Sequence, residues 1–178
     1  MISTQHKQYP CARRLYEQSF PFNEQREEPL QKRVLEHPQY HFGLLYDKDV
    51  FAGLLLYWEH TDFVYIEHFC ILPQLRGKGY GAQALALLAQ AGKPIILEID
   101  PPKDAVSQRR KAFYERAGYC PNPFAHQHPP YHKGMKAHAL QVMSYPAPLT
   151  AEEYEVFCGY LSRQVMAEEK ALPKTNHE

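Results

Sequence analysis

The sequence predicts an α/β fold with a mixed, mostly antiparallel central sheet and helices on both faces. Three observations predict it. Residues 40–72 alternate aromatic, β-branched stretches with short polar turns, the pattern of consecutive antiparallel strands. A glycine-rich bend at 77–81 then joins an apolar helical run to a further apolar strand, which implies a parallel crossover. Helical patterns flank this centre, at 9–37 before it and 150–169 after it.

Each element has a local cause. Residues 9–37 read as two helical pieces broken at Pro21-Phe22-Asn23; Pro29 sits early in the second, and His37-Pro38 ends it, because a residue before proline leaves the helical region. Tyr40–Tyr46, Val50–Trp58 and Phe63–Leu72 form a three-strand meander, with Asp47-Lys48-Asp49 and Glu59-His60-Thr61-Asp62 as turns. The last two of these strands are apolar on both faces, so the sheet is expected to be covered on both sides. In the run AQALALLAQ after the glycines, only Gln83 and Gln90 are polar and they share one stripe, so this helix is expected to be mostly buried.

Ile95–Ile99 is the next strand, closed by Asp100-Pro101-Pro102. Asp104 to Ala117 is a helix with Val106, Phe113 and Ala117 on its apolar stripe and Gly118 as its stop. Tyr119 and Cys120 start a further strand, residues 121–136 are a loop rich in Pro and His, and Ala139–Tyr145 is the last strand. Thr150-Ala151-Glu152-Glu153 is a capping box opening the final helix, whose stripe is Tyr154, Phe157, Leu161 and Val165. Residues 1–170 are expected to form one domain and 171–178 a flexible tail.

Composition excludes several classes. Lys+Arg and Asp+Glu are both 20 in 178 residues, so the charge excess needed to coat a phosphate backbone is missing and no nucleic-acid partner is expected. No apolar stretch reaches the roughly 18 residues that span a bilayer, and the start MISTQHKQYPCARR lacks the apolar core of a secretory signal. The four cysteines (Cys11, Cys70, Cys120, Cys158) have neither disulfide density nor zinc-ligand spacing. The expectation is a cytoplasmic protein with reduced thiols, without a membrane partner, and monomeric or homodimeric.

The segment that carries chemistry is Ile71-Leu72-Pro73-Gln74-Leu75-Arg76-Gly77-Lys78-Gly79-Tyr80-Gly81. Three glycines within five residues let backbone N–H groups converge where a helix begins, and Arg76 and Lys78 add fixed charge. That suits a phosphate or pyrophosphate. A Walker loop fails because Gly79 follows Lys78; a dinucleotide fingerprint fits loosely at Gly77-x-Gly79-x-x-Ala82, but three meander strands precede the loop instead of strand–helix–strand repeats.

These residues resemble the GNAT family of N-acetyltransferases. Arg76-x-x-Gly79-x-Gly81 is similar to its Q/R-x-x-G-x-G/A loop, with Ile71-Leu72-Pro73 fixing the register over Gln74-x-x-Gly77-x-Gly79. Phe113-Tyr114-Glu115-Arg116-Ala117-Gly118-Tyr119 is similar to its (L/F)-Y-x-x-x-G-F segment. Ser107 stands where the family often has Asn, Arg110 where it has a small residue, and the first strand is confined to the few residues before His6. The resemblance implies a sheet whose strand 4/strand 5 pair splays apart, and acetyl-CoA as co-substrate with no metal. It implies that the backbone at Phe69 and Ile71 holds the pantetheine and acetyl oxygen, that Arg76, Gly77, Lys78, Gly79, Tyr80 and Gly81 hold the pyrophosphate, and that Tyr114 protonates the departing sulfur.

By the two-residue strand period Tyr65, Glu67, Phe69 and Ile71 share one face and His68 the other. The family places a base on that first face, and Glu67 is its carboxylate, with a pKa expected to be raised by half-burial. Glu98 and Asp100 are placed with Glu67 in a negative pocket for an amine, beside Tyr65 and Tyr131. A metal held by His126, His128 and His132 is disfavoured by Pro129-Pro130; the loop is instead expected to cover the acceptor site with Tyr131, Lys133 and the histidines. The expected function is acetyl transfer to the primary amine of a small molecule by direct attack. A non-catalytic acyl-CoA sensor and a peptide or protein acetyltransferase are the rivals.

Overall fold

A computed structural model describes residues 6–167; the short strand expected before His6, the last residues of the C-terminal helix and the tail lie outside the described residues. The meander is β1 (Tyr40–Asp47), β2 (Val50–Glu59) and β3 (Val64–Ile71), paired antiparallel. After the glycine bend come α3 (Tyr80–Ala89) and β4 (Ile95–Ile99), which returns parallel to β3. Then follow α4 (Ala105–Arg116), β5 (Cys120–Pro121), β6 (His126–His128), β7 (His138–Tyr145) and α5 (Ala151–Tyr160). The sheet runs β1-β2-β3-β4-β7-β5, with β6 also on β7, and among the described residues only the β3–β4 pairing is parallel.

Both faces are covered, as the two-sided apolar strands require. On one face α1 (Tyr9–Ser19), α2 (Glu28–Val34), α5 and the turn after α5 bury Leu15, Tyr16, Val34, Phe157 and Leu161 against Trp58, Tyr65 and Val142. On the other, α3 and α4 bury Leu85 and Tyr114 against Leu55, Ile66 and Leu97. The capping box at Thr150 forms: its hydroxyl accepts from Glu153 N–H while Glu153 accepts from Thr150 N–H. Beyond Tyr160 the helix widens into one π-type turn, Leu161–Val165.

Three expectations need correction. Helix α3 buries only Ala84 and Leu85, and Leu87 is 65% exposed, because one side of the helix meets the sheet and nothing among the described residues covers the other. On α4, Val106 is exposed, while Phe113 and Ala117 pack partly buried against the core as expected; the fully buried residues are Ser107 and Tyr114, two turns apart and so on one face. Ser107 also completes a capping box with Asp104, whose Oδ1 accepts from the N–H groups of Val106 (2.7 Å) and Ser107 (3.0 Å). The 121–136 loop contains β6, in which Gln127 is exposed while His126 and His128 are buried, the alternation of a strand.

Candidate active site

Strands β3 and β4 pair at only three positions, Val64 with Ile95, Tyr65 with Ile96 and Ile66 with Leu97. Beyond them the strands part, as expected of the splayed pair, and a cavity of about 890 Å³ opens in the gap. Glu67 to Ile71 form one wall, Leu97 to Asp100 the opposite one, and the glycine bend, Tyr114 and residues 128–131 the ends.

The β3 wall contains a bulge. Leu56 is opposite His68 and Tyr57 opposite Ile66, so Glu67 is the extra residue. The bulge breaks the two-residue period, which corrects the expected face sharing. Glu67 and His68 both turn toward the α1 side, where Trp58, Tyr16 and Tyr131 lie, while Phe69 packs with the α3–α4 core. Tyr65, Glu67 and Phe69 therefore do not form one continuous face.

Glu67 is fully buried, and both its oxygens accept hydrogen bonds. Oε1 accepts from Arg26 Nη2 (2.6 Å) and the Tyr131 hydroxyl (2.9 Å), and Oε2 accepts from Trp58 Nε1 (3.1 Å). Burial alone would raise its pKa; the Arg26 guanidinium, then His68 and the donated hydrogen bonds, outweigh burial and hold it below the ordinary carboxylate range. The expected rise is thus reversed. Arg26 and Trp58, which create this environment, carry no motif that sequence reasoning could use.

Glu98 and Asp100 do reach the cavity wall, but neither is a bare negative charge. Glu98 accepts from the Tyr65 hydroxyl at 2.5 Å and from His126 Nε2, whose Nδ1 faces the Tyr154 hydroxyl at 2.9 Å. Burial would raise Glu98, yet His128, His126 and Tyr65 together lower it. Burial would lower His126, but Cys158 and the Glu98 carboxylate raise it to about 9. Asp100 pairs with Arg110 Nη1 at 2.6 Å. The expected negative pocket is therefore a set of carboxylates, each with its own basic partner. His126 and His128 had an available signal: His-x-His is the spacing that puts two side chains on one face of a strand.

The roof is built from two loops. Phe22 stacks on His132 with ring centroids 4.1 Å apart, and His132 Nε2 bonds the Phe22 carbonyl at 2.8 Å. His68 Nε2 holds the Glu24 carbonyl at 2.8 Å. Tyr131 lines the cavity, whereas Lys133 is exposed and outside it; Met135 and Lys136 line it instead. The three loop histidines do not share one site: His126 and His128 both turn Nε2 toward Glu98, whereas His132 turns to Phe22. Among the described residues only Glu24, Asp100 and His138 bring metal-type ligand atoms within 4.8 Å of one another, and Arg110 already occupies Asp100.

At the other end Gly77 and Gly79 have φ of +76° and +86°, which L side chains rarely adopt. Gly79 caps α3 without any side-chain bond, and Gln83 N–H is the first amide to bond back, to the Gly79 carbonyl at 3.1 Å. The amides of Tyr80, Gly81 and Ala82 therefore sit at the open end of the helix, and all three residues line the cavity. A Cβ on Gly81 would come within 3.1 Å of Phe113. Arg76 and Lys78 are exposed beside this bend, and the Tyr80 hydroxyl is directed to Asp47 (3.0 Å). Tyr114 is 8% exposed, its ring edge-on to Phe113 and Tyr119, and burial raises its phenol to about 12.

The comparisons with known proteins agree with this geometry. Residues 8–119 match the model of the acetyltransferase (GNAT) family. A Bacteroides thetaiotaomicron structure named as a GNAT-family acetyltransferase is 32% identical, with a TM-score of 0.86 over 92% of this chain and 95% of that one. The ribosomal-protein-S18-alanine N-acetyltransferase of Escherichia coli shares the fold at 18% identity, TM-score 0.55, over 85% of this chain and 95% of that one. A Bacillus subtilis (strain 168) relative named as acetyltransferase YjbC is 31% identical over 65 residues, 35% of this chain and 34% of that protein. With the splayed strands, the bulge and the glycine bend in place, this match makes the conclusion plain: the chain belongs to the GNAT acetyltransferase family.

Proposed function

We propose that the protein transfers the acetyl group of acetyl-CoA to the primary amine of a small molecule by direct attack. The glycine bend fits the donor: two positive-φ glycines, a third where a Cβ would crowd Phe113, and the open end of a helix all line the cavity. Arg76, Gly77, Lys78, Gly79, Tyr80 and Gly81 take the pyrophosphate, and the β3 backbone at Phe69 and Ile71 takes the pantetheine arm. Tyr114, protonated at neutral pH, donates to the leaving sulfur. Glu67, with both oxygens engaged, acts as an anchor that fixes the bulge, and Tyr65, Glu98, Asp100 and Tyr131 line the acceptor end.

The observation that carries the small-molecule reading is the Phe22–His132 stack. It joins the two loops between which an extended peptide would have to lie. The test measures thiol release from acetyl-CoA against a panel of small primary amines and against peptides bearing a free N-terminus or lysine. Turnover with a small amine and none with peptides is expected; turnover with peptides alone contradicts the acceptor class. Binding of CoA without release for any acceptor contradicts catalysis and favours a sensor.

A further inference from the structure

Acetyl transfer needs a group that takes a proton from the incoming ammonium, and Glu67 is already paired with Arg26 and held below the ordinary carboxylate range. His128 offers a ring nitrogen instead. Its Nδ1 lies 2.6 Å from the Pro129 carbonyl, which can only accept, so Nδ1 carries the hydrogen. A neutral imidazole has one N–H, which leaves a lone pair on Nε2. That atom is buried, makes no hydrogen bond, and belongs to a residue that is 5% exposed and lines the cavity. An unsatisfied buried acceptor is costly in a folded protein, and a catalytic role at a cavity wall is one reason to keep it. Glu98 Oε2 is 3.9 Å away, placed to stabilise an imidazolium once it forms. The ring is held by stacking on Tyr131, centroids 5.0 Å apart.

We infer that His128 is the general base of the acetyl transfer, with Nε2 receiving the proton of the substrate ammonium and Glu98 stabilising the resulting charge. This rests on the proposed reaction and names the residue it lacks. The new bond is N–C and the broken bond is C–S; of the two protons the ammonium loses, one ends on the CoA sulfur and the other leaves through His128. The alternative imidazole, His68, also has a ring nitrogen without a hydrogen bond, Nδ1, 4.0 Å from Glu67. Burial disfavours its charged form, and Arg26 already compensates Glu67. The groups that face His128 are Glu98 from β4, Glu24 from the loop before α2, His68 from β3 and the stacked Tyr131, with His126 reached through Glu98.

The experiment compares wild type with His128→Gln and His128→Ala on the best amine of the panel. Expected for both variants is a loss in kcat/KM of about 100-fold or more, with CoA affinity within about threefold of wild type. The acid limb of the pH–rate profile disappears in His128→Gln, and added imidazole restores part of the His128→Ala rate. Variants as active as wild type with the same profile overturn the base and leave acetyl transfer standing; a wild type silent toward every amine overturns both. Should the variants not fold, imidazole ¹⁵N spectra of the wild type decide: a bare Nε2 with a protonated Nδ1 supports the assignment, and a hydrogen on Nε2 of the neutral ring overturns it.

Discussion

Arg26 Nη2 lies 2.6 Å from Glu67 Oε1, forty-one residues away in sequence, and both side chains are fully buried. The pair ties the loop before α2 to the bulge in β3. Trp58, Tyr131 and the Val165 carbonyl complete its hydrogen bonds, so the ion pair is satisfied on most sides.

Removing one partner of such a pair leaves a lone buried charge, which costs about 3–5 kcal/mol. Arg26→Met is expected to lower unfolding free energy by that order in urea titrations at neutral pH. The sign of the pH effect follows from the depressed Glu67 value. Its contribution is present above the unfolded pKa of about 4.3 and is lost as pH falls through the lower folded value. In Arg26→Met the acid unfolding transition therefore moves to higher pH; an unmoved transition contradicts the assignment.

The His126–Glu98 pair predicts the opposite slope. His126 is raised to about 9 from an unfolded value of about 6.5. Its stabilisation is complete below the unfolded value and is lost as pH rises through the folded one, about 3 kcal/mol at most. Stability of the wild type is expected to fall between these pH values, and His126→Gln is expected to flatten that fall. Chemical denaturation at stepped pH checks it.

Tyr114→Phe keeps the buried ring and removes only the hydroxyl. Turnover is expected to fall by about 10- to 100-fold, up to the lower end of the span of general acid–base help, with CoA affinity unchanged. Full activity in this variant contradicts the role of the phenol.

Gly79→Ala places a side chain at φ +86°, at a cost of about 1–2 kcal/mol, since left-handed backbone crowds a Cβ. CoA affinity is expected to weaken about tenfold as the bend shifts its amides, which calorimetric titration would register. Unchanged affinity would mean that the bend contributes no amide contacts.

Much of this architecture can be read from residue pattern alone, for stated reasons. The meander follows from β-branched runs separated by short turns, and the bend before α3 from three glycines within five residues, two of which, Gly77 and Gly79, take positive φ. The bulge at Glu67 leaves no local trace: Tyr65-Ile66-Glu67-His68-Phe69 alternates like any strand, and the extra residue exists only relative to β2. Burial of Glu67 depends on Arg26, and burial of Glu98 on His126, partners that no spacing rule connects to them. On α3, Leu87 is as apolar as Leu85, and only the packing decides that one is exposed and the other buried.

The central claim is that the gap between β3 and β4, with the glycine bend at its end, holds the acyl donor. Its most direct test is a titration of ¹⁵N-labelled protein with CoA, followed at the backbone amides. The account predicts saturable shifts concentrated at residues 77–82 and at Phe69 to Ile71. Saturable binding with shifts confined to other surfaces, or no binding at millimolar CoA, would contradict it.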